Sequence, residues 1–377
     1  MTLSRVGLNA VFLRPRMGGL ETYVRRLVPE LVRLRPEIRF VLFLGRRGRE
    51  ALAGEPWLGE VEVVTHPLLG RRGLTAVSEL TLLAVLADRQ GLEVLHSVPM
   101  TGPLRLRAAH VVLVGDLIWF HDRETVPRLT GAFWRTVVPR VVRRADRVLT
   151  FSEATRHDLV SSLDVPAERI DVAALGYGAD ESVEPTPEPE LRKRLRLGEG
   201  RVVFTVSAKR THKNLIRLLR AFARTREAIP DVVLVLPGNP TPHEDELKRE
   251  AASLALTDAV RFVEYVDAAD LEGLYALASV FVFPSLREGF GLPILEAMRR
   301  GAPVACSNVS SLPEVGGDAV RYFDPLDTDD MAAALVELLT DRELALRLVE
   351  AGSRRAGTFT WERTAELTLE SYERALK

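Results

Sequence analysis

What is scarce in this 377-residue chain narrows the field first. There is one cysteine, Cys306, which excludes a disulfide framework and a cysteine zinc cluster and suits a reducing compartment. Aromatic residues make up 6% of the chain. No basic, aromatic-interleaved stretch offers a stacking platform, so no nucleic-acid partner is expected. No window has the apolar length needed to span a bilayer. The opening MTLSRVGLNAVFLRP has too short an apolar run for a signal peptide and no small-residue cleavage pattern. It is expected as the first buried strand of a cytoplasmic protein. Lysine is absent from residues 1–175, where 25 arginines face 19 acids, a net +6. The remainder carries 26 basic against 33 acidic residues, a net −7. The arginine excess reads either as a solvated surface or as a face for an anionic acceptor or the inner membrane surface.

With 46% hydrophobic and 27% charged residues, the chain has the composition of a globular protein and the length for two domains. Short apolar runs alternate with helical patterns. In the first half, strands are expected at Val6–Phe12, Phe40–Leu44, Val61–Thr65, Val94–His96, Val111–Val114 and Val148–Phe151. Helices are expected over Tyr23–Leu34, Leu74–Ala87, Val126–Arg144 with an interruption at Pro139, and Glu153–Leu163 capped by Ser152. A Pro- and Glu-rich passage, Glu181–Glu190, reads as a surface connection, with the domain boundary between Ala173 and Ala179. A second series follows, with strands at Arg201–Val206, Val232–Pro237, Val260–Val263, Val280–Phe283 and Val304–Ala305. Alternation of this kind argues for parallel sheets covered on both faces.

Three stretches carry chemistry. The first is FPSLREGFGLPILEAMRRG, Phe283–Gly301. Glu288 sits in a loop with Gly289 and Gly291 after an apolar strand, and Glu296 falls in the first turn of a helix starting near Pro293. Proline suits a first helical turn. A helix start favours an anion such as a phosphate, and glycines allow close backbone approach. The second is VSAKRTHKNL, where Ser207, Lys209, Arg210, His212 and Lys213 stand between a strand end and a helix start. Four basic groups there favour a diphosphate, or simply make a soluble loop. The third is the Gly18-Gly19 turn between the first strand and first helix. No His/Cys ligand cluster appears, and no Asp-x-Asp stands beside the glutamate segment, so no metal is expected.

Phe283–Gly301 resembles the E-x7-E signature of the retaining, two-domain GT-B glycosyltransferases of group 1. SSLPEVGGDAVRYFDPLD and FTWERTAE, further on, are similar to the same family. The resemblance implies an α/β fold of two Rossmann-like, doubly wound domains facing across a cleft. Residues 1–175 would take the acceptor and residues 176–360 the nucleotide sugar, with a helix over 361–377 crossing back to the first domain. Glu296 would bind ribose and Glu288 the hydroxyls of the transferred sugar, with Phe290, Gly291 and Leu292 near that sugar and its phosphate. Lys213 and a basic partner, Arg210 in preference to Lys209, would neutralise the leaving diphosphate. Gly18 and Gly19 would lie against the diphosphate and acceptor. No cofactor is implied, since the nucleoside-diphosphate sugar is a co-substrate. The transferred sugar would be mannose-like. The acceptor, a glycan, lipid-linked glycan or small-molecule hydroxyl, stays open, and the setting would be polysaccharide biosynthesis.

One departure stands out. The family commonly has His-Asp after a first-domain strand, where this chain has Gly115-Asp116. Asp116 remains a catalytic candidate, and His121 is the nearest replacement for the histidine. Ser310, Ser311 and Glu314 are expected to be structural, and His96 structural or near the acceptor. A glycosidase-type carboxylate pair is disfavoured, because the strand–loop–helix setting lays the acids along a nucleotide rather than across one bond. A dinucleotide-dependent oxidoreductase is disfavoured because no G-x-G-x-x-G follows the first strand. A nucleotide-sugar-binding protein without catalysis is the remaining rival.

Overall fold

In a computed structural model, residues 3–15, 17–71, 75–122, 126–177, 183–264 and 266–377 are described. Apolar runs of three to six residues form buried strands in two separate sheets. The chain divides accordingly into one unit of Met1–Gly176 with Phe359–Lys377 and a second of Tyr177–Thr358.

The first unit holds β1 (Arg5–Ala10), β2 (Arg39–Leu44), β3 (Glu62–Thr65), β4 (Val94–Ser97), β5 (Ala109–Leu113), β6 (Arg147–Thr150) and β7 (Ile170–Val172). Their order is β3-β2-β1-β4-β5-β6-β7, with every pairing parallel. The second unit holds β8 (Val202–Phe204), β9 (Val233–Pro237), β10 (Val260–Val263), β11 (Val280–Phe283), β12 (Val304–Ser307) and β13 (Arg321–Phe323). Their order is β10-β9-β8-β11-β12-β13, again all parallel. Strand order reverses between β1 and β4 in one sheet and between β8 and β11 in the other. Chains leaving neighbouring strands in opposite directions open a crevice at the carboxyl edge, where ligands bind in such sheets.

Both faces of each sheet are covered, which is why the strands are almost wholly apolar. In the second unit, Leu218 and Phe222 of the helix Leu215–Ala228 and Leu335 of Thr328–Thr340 join Val203, Leu234 and Val282 in one core. In the first, Val138, Val141 and Val142 of the helix Arg128–Arg144 pack with Val112 and Val148.

The structure departs from several expectations. The helix expected at Leu74–Ala87 is two, Thr75–Leu80 and Leu82–Arg89. The break is at Thr81, whose hydroxyl donates to the Val77 carbonyl at 2.7 Å, a local bond that competes with regular helix. Leu74 lies outside the described residues, as do Ala179 and Glu181. Pro139 does not interrupt Arg128–Arg144; burial of the three valines beside it outweighs one lost backbone bond. Within the Pro- and Glu-rich passage a helix begins at Glu188 and runs to Leu195, with Pro189 in its first turn. The three-residue β7 and β13 escape pattern reading because each is short and carries a charged residue, Asp171 or Arg321.

The helix Trp361–Ala375 belongs to the first unit. Tyr372 Oη and His96 Nδ1 are 2.7 Å apart, and Asp171 accepts from Ser371 at 2.7 Å and from Arg147 and Arg374 at 2.5 Å. Burial works against the Asp171 charge, but these hydrogen bonds hold its carboxyl below the usual range. Among the described residues, no helix is long and apolar enough to cross a membrane.

Candidate active site

The carboxyl ends of β8 and β11 define the crevice of the second unit. Register fixes them at one level, with Val280 opposite Val203 and Phe281 opposite Phe204. After β11 the chain forms an open loop, turns at Gly291 and enters the helix Leu292–Arg299, with Pro293 in its first turn. Gly291 has φ +121°, a region that L side chains avoid. The loop is pinned from behind by the next turn. Ser310 Oγ donates to the Glu288 carbonyl at 2.7 Å and Ser311 Oγ to the Phe290 carbonyl at 2.7 Å. After β8, Asn214 performs the same service. Its amide donates to the carbonyls of Pro284 (3.1 Å) and Pro325 (2.7 Å), binding the basic loop to the glutamate loop. Gly289 and Phe290 are buried.

These ties bring Lys213 and Glu288 together although 75 residues separate them, and the ammonium bonds Oε1 directly. Both side chains are mostly buried, 17% and 12% exposed. Lys213 also lies over the Phe283 ring, 5.3 Å from its centroid. An ammonium and a carboxylate side by side at a helix start can exchange one another for a phosphate and a hydroxyl.

Glu296 is set differently. Oε2 accepts from Tyr275 Oη at 2.8 Å. Burial pushes its carboxyl above the usual range, and the Tyr275 bond offsets part of that. Arg300, one turn on, donates to the Glu296 carbonyl at 3.1 Å and grips both oxygens of Glu272. Its guanidinium lies 5.3 Å from the Tyr177 ring centroid and 5.1 Å from that of Tyr275. Tyr275, Arg300 and Glu272 were not singled out from the sequence. The i, i+4 spacing of Glu296 and Arg300 was the available signal.

The basic loop divides into two kinds of residue. Arg210 is exposed and makes no ion pair among the described residues, and Ser207 is half-buried. Lys209 corrects an expectation. It is 1% exposed, and its ammonium donates to the carbonyls of Gly238 (2.6 Å) and Val263 (3.1 Å) and sits 3.3 Å from Glu244. Burial lowers its pKa, against the pull of Glu244. Lys209 therefore ties together the ends of β8, β9 and β10 instead of facing a ligand. Sequence reading missed it because charge in a loop looks alike whether it points in or out. Thr205 and Ser285, just past β8 and β11, each bury a hydroxyl without a hydrogen-bond partner among the described residues.

In the first unit, Gly18 has φ +81° and precedes the helix Gly19–Leu34. Among the described residues, apart from chain neighbours, nothing stands within 4 Å of where a Cβ on Gly18 or Gly19 would be. Asp116 Oδ1 accepts from the Ile118 amide at 2.9 Å, folding the turn after β5. At Gly115 a Cβ would meet the Phe151 ring at 3.0 Å, a tight contact that the ring would have to relieve by a few tenths of an ångström. His121 is on the surface, its Nε2 3.6 Å from Asp158, six positions beyond that turn. His96 is fully buried against Tyr372 and Tyr23, and burial pushes its pKa down to about 3. Among the described residues no group of His, Cys, Asp and Glu could hold a metal ion.

Two parallel-sheet α/β units, one carrying paired acids and a lysine at its switch point, are the plan of the GT-B glycosyltransferases. Comparison with known proteins makes the assignment specific. A family model described as glycosyl transferases group 1 matches residues 187–355, and one described as glycosyltransferase family 4 matches 17–180. O-antigen chain mannosyltransferase B of Escherichia coli is 36% identical over 280 residues, 72% of this chain and 71% of that protein. A GDP-mannose-dependent alpha-(1-6)-phosphatidylinositol monomannoside mannosyltransferase of Mycolicibacterium smegmatis is 27% identical over 352 residues, 90% of each chain. Sucrose-phosphate synthase from Thermosynechococcus elongatus shares the fold, with a TM-score of 0.77 at 20% identity over 98% of both chains. The chain belongs to the group 1 glycosyltransferases.

Proposed function

We propose that this glycosyltransferase moves mannose, or a sugar closely like it, from a GDP-sugar to a hydroxyl of a lipid-linked glycan, with retention at the anomeric carbon. The observation that carries the reading is the contact of Lys213 with Glu288 beside the start of Leu292–Arg299, with Glu296 farther along that helix. In the reaction, the bond between the anomeric carbon and the diphosphate breaks as the acceptor oxygen bonds to the same face of that carbon. The acceptor proton goes to the departing diphosphate. Lys213, Arg210 and the helix start stabilise the charge that develops there, which is where fixed charges accelerate a reaction most. Glu288 holds hydroxyls of the moving sugar. Glu296 offers Oε1 to the ribose while Tyr275 occupies Oε2. Ser207, Gly289, Phe290, Gly291 and Leu292 supply the backbone around sugar and phosphate. In the first unit, Gly18 and Gly19 leave room for the acceptor, and Asp116 shapes the turn after β5. The reaction needs neither metal nor cofactor, and it takes place on the cytoplasmic side of the inner membrane. The names of the mannosyltransferase relatives support the sugar and the acceptor class.

A panel of nucleoside diphosphates and their sugars, read by thermal shift, tests the donor, because a bound ligand stabilises by mass action. GDP-mannose should give the largest shift, and NMR of the product should show the donor's anomeric configuration. Preference for a UDP-sugar or an inverted product would overturn the corresponding part. The Phe151 ring beside Gly115 favours a second reading, a binding protein without catalysis. It would be stabilised by the donor yet release no nucleoside diphosphate with any acceptor.

A further inference from the structure

We propose that the Lys213–Glu288 pair tells the intact sugar donor from the nucleoside diphosphate left after transfer, each residue holding the other until one ligand satisfies both. This rests on the donor reading given above, and its test separates the failure of one from the failure of the other.

Backbone bonds fix both partners. The Glu288 amide donates to Ser310 Oγ at 3.2 Å, and its carbonyl accepts from Ser310 Oγ at 2.7 Å and from Ser311 Oγ at 3.1 Å. Lys213 ends the single turn Thr211–Lys213, and its amide donates to the Arg210 carbonyl at 3.0 Å. On one side of it, the Leu286 amide donates to the His212 carbonyl at 2.8 Å; on the other, Asn214 bonds the carbonyls of Pro284 and Pro325. The two loops are thus stitched together around Lys213. Neither backbone can carry its charge away, so side-chain rotation alone separates ammonium from carboxylate. Two other ion pairs of the unit are held more widely. Lys209 also donates to the carbonyls of Gly238 and Val263, and Arg300 to that of Glu296. Among the described residues Lys213 donates to no carbonyl, and its hydrogen-bonding partner is Glu288. Of the three pairs, it is the one that a ligand can open.

What opens it depends on the ligand. Both side chains are largely out of water, and the Phe283 ring lies beside the ammonium. A diphosphate takes Lys213 only by displacing Glu288. The displaced carboxylate, mostly buried and without a donor, then carries its full desolvation penalty. An intact donor removes that penalty, because its sugar hydroxyls donate to Glu288 while its diphosphate accepts from Lys213. The product nucleoside diphosphate brings the anion without the hydroxyls. It either strands Glu288 or shares Lys213 with it, and two anions at one ammonium repel each other. Transfer of the sugar therefore withdraws the donors from Glu288, and the carboxylate returns to Lys213 as the diphosphate leaves. Arg210, exposed and without an ion pair among the described residues, meets either ligand with no such competitor.

The test is calorimetric titration of the full chain, without acceptor, with GDP and with GDP-mannose, or with the corresponding pair where the melting panel names another base. Glu288→Gln keeps the size of the side chain and removes its charge. It should bind GDP about tenfold more tightly than the wild type does, while GDP-mannose gains clearly less, so that the preference for the intact donor shrinks even as transfer is lost. On a Lys213→Met chain, where no pair exists to break, Glu288→Gln should move GDP binding by a smaller factor. Wild-type thermal melting excludes misfolding; if Glu288→Gln melts early, Glu288→Asp, whose shorter carboxylate reaches Lys213 less well, should show the same ordering. The proposal is overturned if GDP binds the variant no more tightly than the wild type, if both ligands tighten equally, or if the gain is undiminished on the Lys213→Met chain. A wild type that binds no nucleoside diphosphate and no nucleotide sugar overturns the donor reading, and this inference with it.

Discussion

The two units use the same sheet plan but arrange their polar groups differently. In the second, the candidate site joins the loops after β8 and β11, and charges in and around it meet charges: Lys213 with Glu288 and Arg300 with Glu272, with Lys209 and Glu244 paired behind it. In the first, the carboxyl edge draws on β1, β4, β5, β6 and the last helix. Among the described residues, buried polar atoms without a hydrogen-bond partner there include Asn9 Nδ2, Glu79 Oε1, His96 Nε2 and Thr150 Oγ1, whereas in the second unit's site Thr205 and Ser285 leave only hydroxyls so. The difference fits a division of labour. A unit that grips one fixed diphosphate benefits from charges already oriented, since little reorganisation remains when the ligand arrives. On the proposed reading, the first unit takes a hydroxyl acceptor, and neutral groups at its edge suit that role.

That contrast can be broken at several points. Arg300→Ala should have the largest effect on stability, because it leaves Glu272 uncompensated beside Glu296. The expected loss is about 3–5 kcal/mol in urea unfolding; a loss under about 1 kcal/mol would mean that the second unit does not depend on paired charges. Lys213→Ala and Glu288→Ala should each lower transfer by about 100- to 1,000-fold while the fold persists. Near-wild-type turnover in both would remove these residues from the site. In the first unit, Tyr372→Phe strands His96 Nδ1 and should cost about 1–3 kcal/mol, without changing the melting shift given by the donor.

The pH dependence sharpens the comparison further. Burial pushes His96 down to about 3 and His110 down to about 4, from a usual 6.5. Below pH 6.5 the unfolded chain takes up protons that the folded unit refuses, so stability is lost as pH falls from about 6.5 towards 4. Glu79 acts in the opposite sense. Burial pushes it up to about 7 from 4.5, although Thr101 donates to it at 2.6 Å. The folded unit then keeps a proton that the unfolded chain releases, so stability is lost as pH rises from 4.5 towards 7. Glu79→Gln removes this opposing slope. The fall in unfolding free energy between pH 6.5 and 4.5, from urea titrations, should then steepen by about 1.4 kcal/mol per pH unit. An unchanged slope would show that Glu79 does not hold its proton.

The residues differ in how far their sequence signals reach. Glu288, Gly291, Pro293 and Glu296 are close neighbours in the chain, and their spacing already implies a loop, a helix start and two acceptors. Ser152 was legible as a cap for the same reason, and its hydroxyl accepts from the Thr155 amide. Lys209 and Arg210 are adjacent and chemically alike, yet one is enclosed and the other exposed. Only the close packing of Gly238 on the Ser207 carbonyl, 1.8 Å from where a Cβ would sit, and the carbonyls beyond it decide which one turns inward.

Local order was therefore written in the chain itself: the alternating strands and helices, the paired acids, the basic loop and the arginine-rich first half all arise from near neighbours and backbone preferences. The tertiary structure decided the meeting of Lys213 with Glu288 across 75 residues, the Tyr275 and Arg300 surroundings of Glu296, and the closure of Tyr372 over His96 across 276 residues. Such contacts depend on which strands lie side by side and which face a helix turns inward. Burial of apolar area drives that choice, and it has no direction along the sequence.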